Sequence, residues 1–178
     1  MTELRNEIHG QLIPLEDDRL LLPNTAIVEV LGMDDIEVST DGPSWLLGHL
    51  NWRMSRIPVI SVEGLFGRVI PARIRRSRLV IINTFGRALE QGFFAVVSQG
   101  HPHLTTLNKV ALQPDDLGDE PAADLLLAKL KIANTTALIP DLEAFEQRLA
   151  QVQNTQFESR DWAQDMNLGI EEEQDAGI

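Results

Sequence analysis

The length of its apolar runs most limits what this chain can fold into. Residues 79–84 (LVIINT) and 93–98 (FFAVVS) are continuous apolar runs of strand length, bounded or separated by Asn83, Gly86 and Gly92. Similar short runs recur between turn signals. Residues 8–15 and 20–22 flank Glu16-Asp17-Asp18 in the manner of a hairpin. Residues 35–40 alternate through Ile36 and Val38, and Asp41-Gly42-Pro43 reads as a turn. Gly64 and Gly67 punctuate a short turn around Leu65 and Phe66. Residues 104–112 alternate loosely, 114–124 (PDDLGDEPAAD) read as a polar loop, and 125–132 with 135–139 suit a closing strand pair. Asn24 is placed to cap a short helical turn, after which Ile27, Val28, Val30 and Leu31 fit either helical spacing or a buried strand.

One segment has a clear helical period. Pro140-Asp141 opens it, and Asp141 and Glu143 put negative charge in its first turn, complementing the helix dipole. Leu142, Phe145, Leu149 and Val152 share one face. The polar face is mostly Glu and Gln with one basic residue, Arg148, which suits packing on a barrel better than lying on a membrane. Many short strands with one helix near the end predict a mainly β chain, built as small barrels or a sandwich.

A chain of 178 residues, 43% hydrophobic, can hold one domain or two small intimate ones around a sizeable core. Its formal charge of -12 disfavours nucleic acid and anionic lipid as partners. No cysteine is present, which excludes disulfides and thiolate chemistry and agrees with a cytosolic address. The opening MTELRNEIHG lacks the apolar core of a signal peptide. No apolar run approaches the roughly 20 residues that span a bilayer, so direct membrane insertion is not expected. The expected organisation is a loose 1–7, a folded 8–153 and an acidic, largely disordered 154–178 ending in EEEQDAGI.

Signs of catalysis are absent from the sequence. It has no G-x-S-x-G elbow, no phosphate-cradling glycine loop and no supported carboxylate pair. His101-Pro102-His103 invites a metal reading, but the proline disturbs the shared strand face. Asp115, Asp116 and Asp119 have no ligand spacing, and zinc needs three or four ligands. The expectation is a chain that is not an enzyme and holds no cofactor or metal.

The most informative stretch is 48-GHLNWRMSRIPVISV-62, read as strands over 48–54 and 57–62 that meet around a tryptophan and two arginines. Together with its flanks, 46-LLGHLNWRMSRIPVISVEGLFG-67, it resembles the CheW-like family, the adaptors of bacterial chemotaxis arrays. Gly48, Asn51, Arg53, Pro58 and Val59 match the family pattern in order. Upstream, 26-AIVEVL-31 resembles the family's Val-x-Glu-Val turn with Glu29 at its acidic position, and 138-LIPDLEAF-145 resembles the closing strand and helix. The resemblance covers roughly residues 8 to 152. Within the family, the compact N-terminus and LLLPNTAIVEV look most similar to ChpC, the accessory adaptor of type IV pilus chemosensory systems that serve twitching motility. The chain departs from the family pattern at Met54 (usually glycine) and Ser61 (usually aspartate). In 93-FFAVVSQG-100, Phe94, Ser98 and Gly100 stand where the family has glycine, aspartate and valine.

The resemblance implies two packed SH3-like five-stranded β-barrels with a short C-terminal helix and no active site. It implies a noncatalytic cytoplasmic adaptor recruited to membrane receptor arrays. The partners implied are the regulatory domain of a CheA-like histidine kinase, the cytoplasmic tip of a methyl-accepting chemoreceptor and other CheW-like proteins. The partner-binding residues implied are Arg53, Glu29, Gly48, Asn51 and Trp52. Arg53 can pair internally with Glu29, lie where a partner docks, or do both. Trp52 can be core with its indole N–H satisfied, or an interface anchor. Gly48 can mark a bulge or close backbone approach, or abut a partner. Arg73, Arg75, Arg76 and Arg78 in 71-PARIRRSRL-79 read as a solvated loop or as a patch for an acidic partner. The alternative function is a β-barrel module that binds another partner or a polyanion through that loop.

Overall fold

The computed structural model describes residues 7–108, 113–118, 122–132 and 134–155. Its strands in chain order are β1 (Glu7–Pro14), β2 (Arg19–Pro23), β3 (Ile27–Leu31), β4 (Ile36–Val38), β5 (Leu46–Trp52), β6 (Ser55–Ile60), β7 (Arg78–Asn83), β8 (Phe93–Ser98), β9 (His103–Asn108), β10 (Gln113–Asp115), β11 (Leu126–Ile132) and β12 (Thr135–Pro140). They form two sheets, ordered β10-β11-β12-β2-β1-β9 and β3-β7-β8-β6-β5-β4. The fold is mainly β with two packed sheets and a C-terminal helix, as the sequence predicts. Each sheet has five longer strands and a three-residue edge strand, β10 or β4. The second sheet is one continuous stretch of chain set between β2 and β9 of the first. Most neighbours are antiparallel, but short parallel contacts join β12 to β2 and β6 to β8.

Burial on both faces explains the unbroken apolar runs. In β7, Val80 and Ile82 enter a core shared by the two sheets, while Leu79 and Ile81 enter a separate core within the second sheet. In β8, Phe94 and Val96 face the shared core, and Ala95 and Val97 the other. The first sheet has the same arrangement, with Leu20 and Leu22 in the shared core and Leu21 beside Leu107, Leu130 and Ala137 in a third. A strand with a core on each side has no position where a polar side chain reaches water, so alternation disappears.

The helix α2 over 142–155 plugs the shared core. Asp141 Oδ1 caps it by accepting from the N–H groups of Glu143 (3.1 Å) and Ala144 (3.2 Å). Phe145 and Leu149 are buried, Leu142 and Val152 pack at the margin, and Phe145 meets Phe66 edge-on at 6.0 Å. Glu146 is also buried, and its carboxylate accepts from the N–H groups of Phe85 and Gly86, tying the β7–β8 loop to the helix.

Several local expectations need correction. The short turn at Asn24–Ala26 is 3₁₀, but Asn24 does not cap it. Its side-chain oxygen instead accepts from Gln11 Nε2 at 2.7 Å, bracing β1. Residues 27–31 resolve as a strand because β7 offers them a backbone ladder. Val62 leaves the strand and starts a one-turn helix, α1 (Val62–Leu65), capped by Ser61 Oγ accepting from the Gly64 N–H at 3.2 Å. Part of the 114–124 loop is ordered as the end of β10 and a 3₁₀ turn at Ala123–Leu125. The hairpin reverses at residues 53–54, because Trp52 pairs with Ser55 and Asn51 with Arg56. Residues 1–6, most of the acidic tail and Asp119 lie outside the described residues. Among the described residues, no helix is long and apolar enough to cross a membrane.

Candidate functional site

The reversal at residues 53–54 builds the site. A two-residue hairpin loop is most relaxed with positive φ at both central positions, as in a type I′ turn. Arg53 has φ 43° and Met54 φ 66°. The turn therefore lifts Arg53 off the sheet beside Trp52 and leaves Met54 fully exposed at the tip. A non-glycine residue in this region costs about 1–2 kcal/mol, and glycine returns about 0.5–1 kcal/mol of that as lost backbone entropy. Met54→Gly should thus stabilise the chain by roughly 0.5–1 kcal/mol, read as a higher urea midpoint at unchanged m-value. A lower midpoint would mean that Met54 makes contacts outweighing its backbone strain.

Three side chains converge at the turn. Trp52 is buried, and its indole N–H donates to Glu29 Oε2 at 3.0 Å. The Arg53 guanidinium lies 4.4 Å from the Trp52 ring centroid, and its Nη2 donates to the same Glu29 oxygen at 3.2 Å. Phe93 packs edge-on against Trp52 at 5.0 Å, completing the floor. The Arg53 side chain stays 65% exposed and that of Glu29 37%, so the ion pair contributes only about 0–1 kcal/mol. Its main effect is to hold an exposed cation in one orientation over an aromatic ring.

A second cluster lies beside it on the edge strand. Asn51 Nδ2 donates to Glu37 Oε1 at 2.7 Å, and Arg56 Nε to Glu37 Oε2 at 3.2 Å. The bond from Arg56, and next the bond from Asn51, hold the Glu37 carboxyl below its ordinary pKa. A depressed carboxylate stabilises above its unfolded pKa, and that contribution is lost as pH falls through the folded value. The stability difference between the native chain and Glu37→Gln should be constant above the ordinary glutamate range, shrink as pH falls through that range, and vanish only once pH is below the lowered folded value. Urea midpoints taken across that range test it, and a difference independent of pH would remove the carboxylate from the account.

Gly48 has a supporting place. Its φ is 152°, it follows a register shift in β5, and an added Cβ would lie 2.1 Å from the Glu37 carbonyl oxygen. Glycine there lets β4 lie close on β5, which sets Glu37 over Asn51 and Arg56. The chemistry thus gathers Glu29, Asn51, Trp52 and Arg53 at one end of the hairpin, with Gly48 beneath its edge. Sequence reasoning missed Glu37, Arg56 and Phe93. Arg56 could have been found from the pairing with Asn51 once the turn was placed at 53–54.

The departures from the family pattern have local causes. Glu63 is buried, and its carboxylate accepts from Ser61 Oγ (2.9 Å), the Glu16 N–H (3.3 Å) and Gln99 Nε2 (3.3 Å). An aspartate at position 61 would put a second carboxylate against it. Phe94 fills the shared core beside Phe145, and the single Ser98 hydroxyl proton has two carbonyls in reach, Gly100 (2.6 Å) and Pro14 (3.1 Å), the second of them on the other sheet.

The arginine run lies elsewhere. Residues 66–77 connect α1 to β7, and within them Arg73, Arg75 and Arg76 are exposed. Arg78 starts β7 opposite Ser98, whereas Asn83 opposite Phe93 ends it. Five residues of strand, about 17 Å, separate that loop from the Phe93 end.

Residues 9–149 match the family model described as CheW-like domain. Among solved structures, the scaffolding protein TtCheW from Thermoanaerobacter tengcongensis aligns over 76% of this chain and 84% of its own, with a TM-score of 0.64 at 17% identity. At that identity the likeness concerns the fold. No curated protein sequence matches.

Proposed function

The chain belongs to the CheW-like domain family, and from that premise we propose that it is a noncatalytic cytoplasmic adaptor coupling chemoreceptors to a histidine kinase in a chemosensory array. Its partners in this reading are the regulatory domain of a CheA-like kinase, the cytoplasmic tip of a methyl-accepting receptor and other CheW-like chains. The finer assignment, to a ChpC-type accessory adaptor of a type IV pilus system and twitching motility, rests on the N-terminal run alone.

The observation that carries the proposal is the exposed Arg53 guanidinium fixed over Trp52 by Glu29. Arginine and tryptophan are enriched among residues that dominate protein interfaces, and an ordered arginine loses less entropy on docking. Asn51, Trp52, Arg53 and Glu29 form the contact face in this proposal, and Gly48 sets the edge strand beside it. The test is calorimetric titration of the folded chain with the kinase regulatory domain and, separately, with a receptor tip. Micromolar binding to either supports the adaptor. Binding to neither would leave this fold serving another purpose.

A further inference from the structure

The Arg53-Met54 turn holds strain that folding alone does not explain. Elsewhere among the described residues, positive φ falls to glycine or to Asp35, whose short polar side chain tolerates it. Met54 has φ 66° with a long apolar side chain, and Arg53 before it has φ 43°. Among the described residues Met54 belongs to no apolar cluster, and it is the most exposed large apolar side chain. Each fact alone is ordinary, since single exposed apolar side chains are common on protein surfaces. Together they are not, because glycine at position 54 would remove both at once. Strained backbone of this kind clusters at sites that act on something else.

The neighbours of Met54 indicate what it acts on. Trp52 and Ser55 pair across the turn, so the tip lies beyond the last rung of the sheet. Directly before Met54, the Arg53 guanidinium is held over the Trp52 ring by Glu29. Its bond to Glu29 uses one of five N–H donors, which leaves others for a carboxylate outside the chain. We propose that Met54 is the apolar anchor of this docking face. It enters an apolar socket on the protein partner, and a carboxylate at the socket's rim meets Arg53. The inference rests on the docking reading of the hairpin and adds the chemistry of the surface that receives it. Methionine suits the task. Its unbranched side chain adapts to an irregular socket, and its polarizable sulfur makes favourable contacts with aromatic walls. Burial of that side chain on docking offsets the strain held in the free chain.

The sign of two effects tests this. A residue kept for stability would lose stability and binding together when replaced. Met54→Gly should instead raise the urea midpoint while weakening docking by about 5–30-fold. Met54→Gln keeps the side-chain length and the strained turn but is polar, so it should weaken docking similarly at an unchanged midpoint. Met54→Leu keeps an apolar side chain of similar volume and should bind within about threefold of the native chain. The measurement is calorimetric titration of each full-length variant with the kinase regulatory domain and with a receptor tip, alongside urea midpoints. Native affinity in both Met54→Gly and Met54→Gln overturns the anchor and leaves the adaptor reading in place. Equal losses in Met54→Leu and Met54→Gln overturn the apolar socket. Binding of the native chain to neither domain overturns the adaptor reading and this inference with it.

Discussion

Gly48→Ala should lower the unfolding free energy by about 2–4 kcal/mol, placing it among the more damaging single substitutions available outside the large core residues. The added methyl would sit 2.1 Å from the Glu37 carbonyl oxygen, 2.9 Å from its carbon and 3.0 Å from Val38 Cα. All three are backbone atoms, so no rotamer change relieves the clash, and the φ of 152° adds strain of its own. The least costly response is for β4 to leave the sheet. That strand has three residues and sits at the edge, paired through Ile36–Leu50, Glu37–His49 and Val38–Gly48, with one further backbone bond from the Ser39 N–H to the Leu47 carbonyl. Its departure would take Glu37 away from Asn51 and Arg56. The expected signature is a thermal midpoint lower by roughly 4–16 °C, with hydrogen exchange accelerated first at residues 36–38. A loss below about 1 kcal/mol would show that β4 can slide along β5 without cost, and that the close approach at Gly48 is incidental.

What the sequence made legible followed from contacts that are local or continuous. The runs at 79–84 and 93–98 could be read as strands because burial on both faces removed every polar position. The helix at 142–155 could be read because one face alone meets the core. Residues 27–31 could not be settled, since their ladder partner, β7, lies fifty residues away and spacing carries no record of it. The hairpin turn was misplaced by two residues for a chemical reason. Type I′ turns are usually signalled by Asn-Gly, and this one uses Arg53-Met54, neither of which announces a positive φ. The site was affected in the same way. Arg53, Glu29, Asn51 and Trp52 were named through the family pattern, whereas Glu37 and Phe93 enter through sheet register, which a single sequence does not display.

Arg53→Ala should weaken binding to the docking partner by about 10–100-fold while barely changing stability. The two effects separate because they draw on different contacts. In the free protein, Arg53 has an ion pair worth about 0–1 kcal/mol and an exposed cation–π contact worth about 0.5–1 kcal/mol, both reduced by solvent at 65% exposure. The thermal midpoint should therefore move by only about 2–4 °C. On docking, the same guanidinium loses its water and its contacts strengthen, so removing it is costly only in the complex. Two companions sharpen the result. Arg53→Lys keeps the charge but loses the planar stack on Trp52, and should recover only part of the affinity. Glu29→Gln keeps an acceptor for the Trp52 indole while removing the charge that orients Arg53, so it should fold normally and bind with an intermediate loss. Glu29→Ala, by contrast, strands the buried indole N–H and should cost about 1–3 kcal/mol of stability. A folded Arg53→Ala chain that binds as tightly as the native one would remove this hairpin from the contact face. An equal loss in Arg53→Lys and Arg53→Ala would show that stacking geometry, rather than positive charge, is what the partner reads.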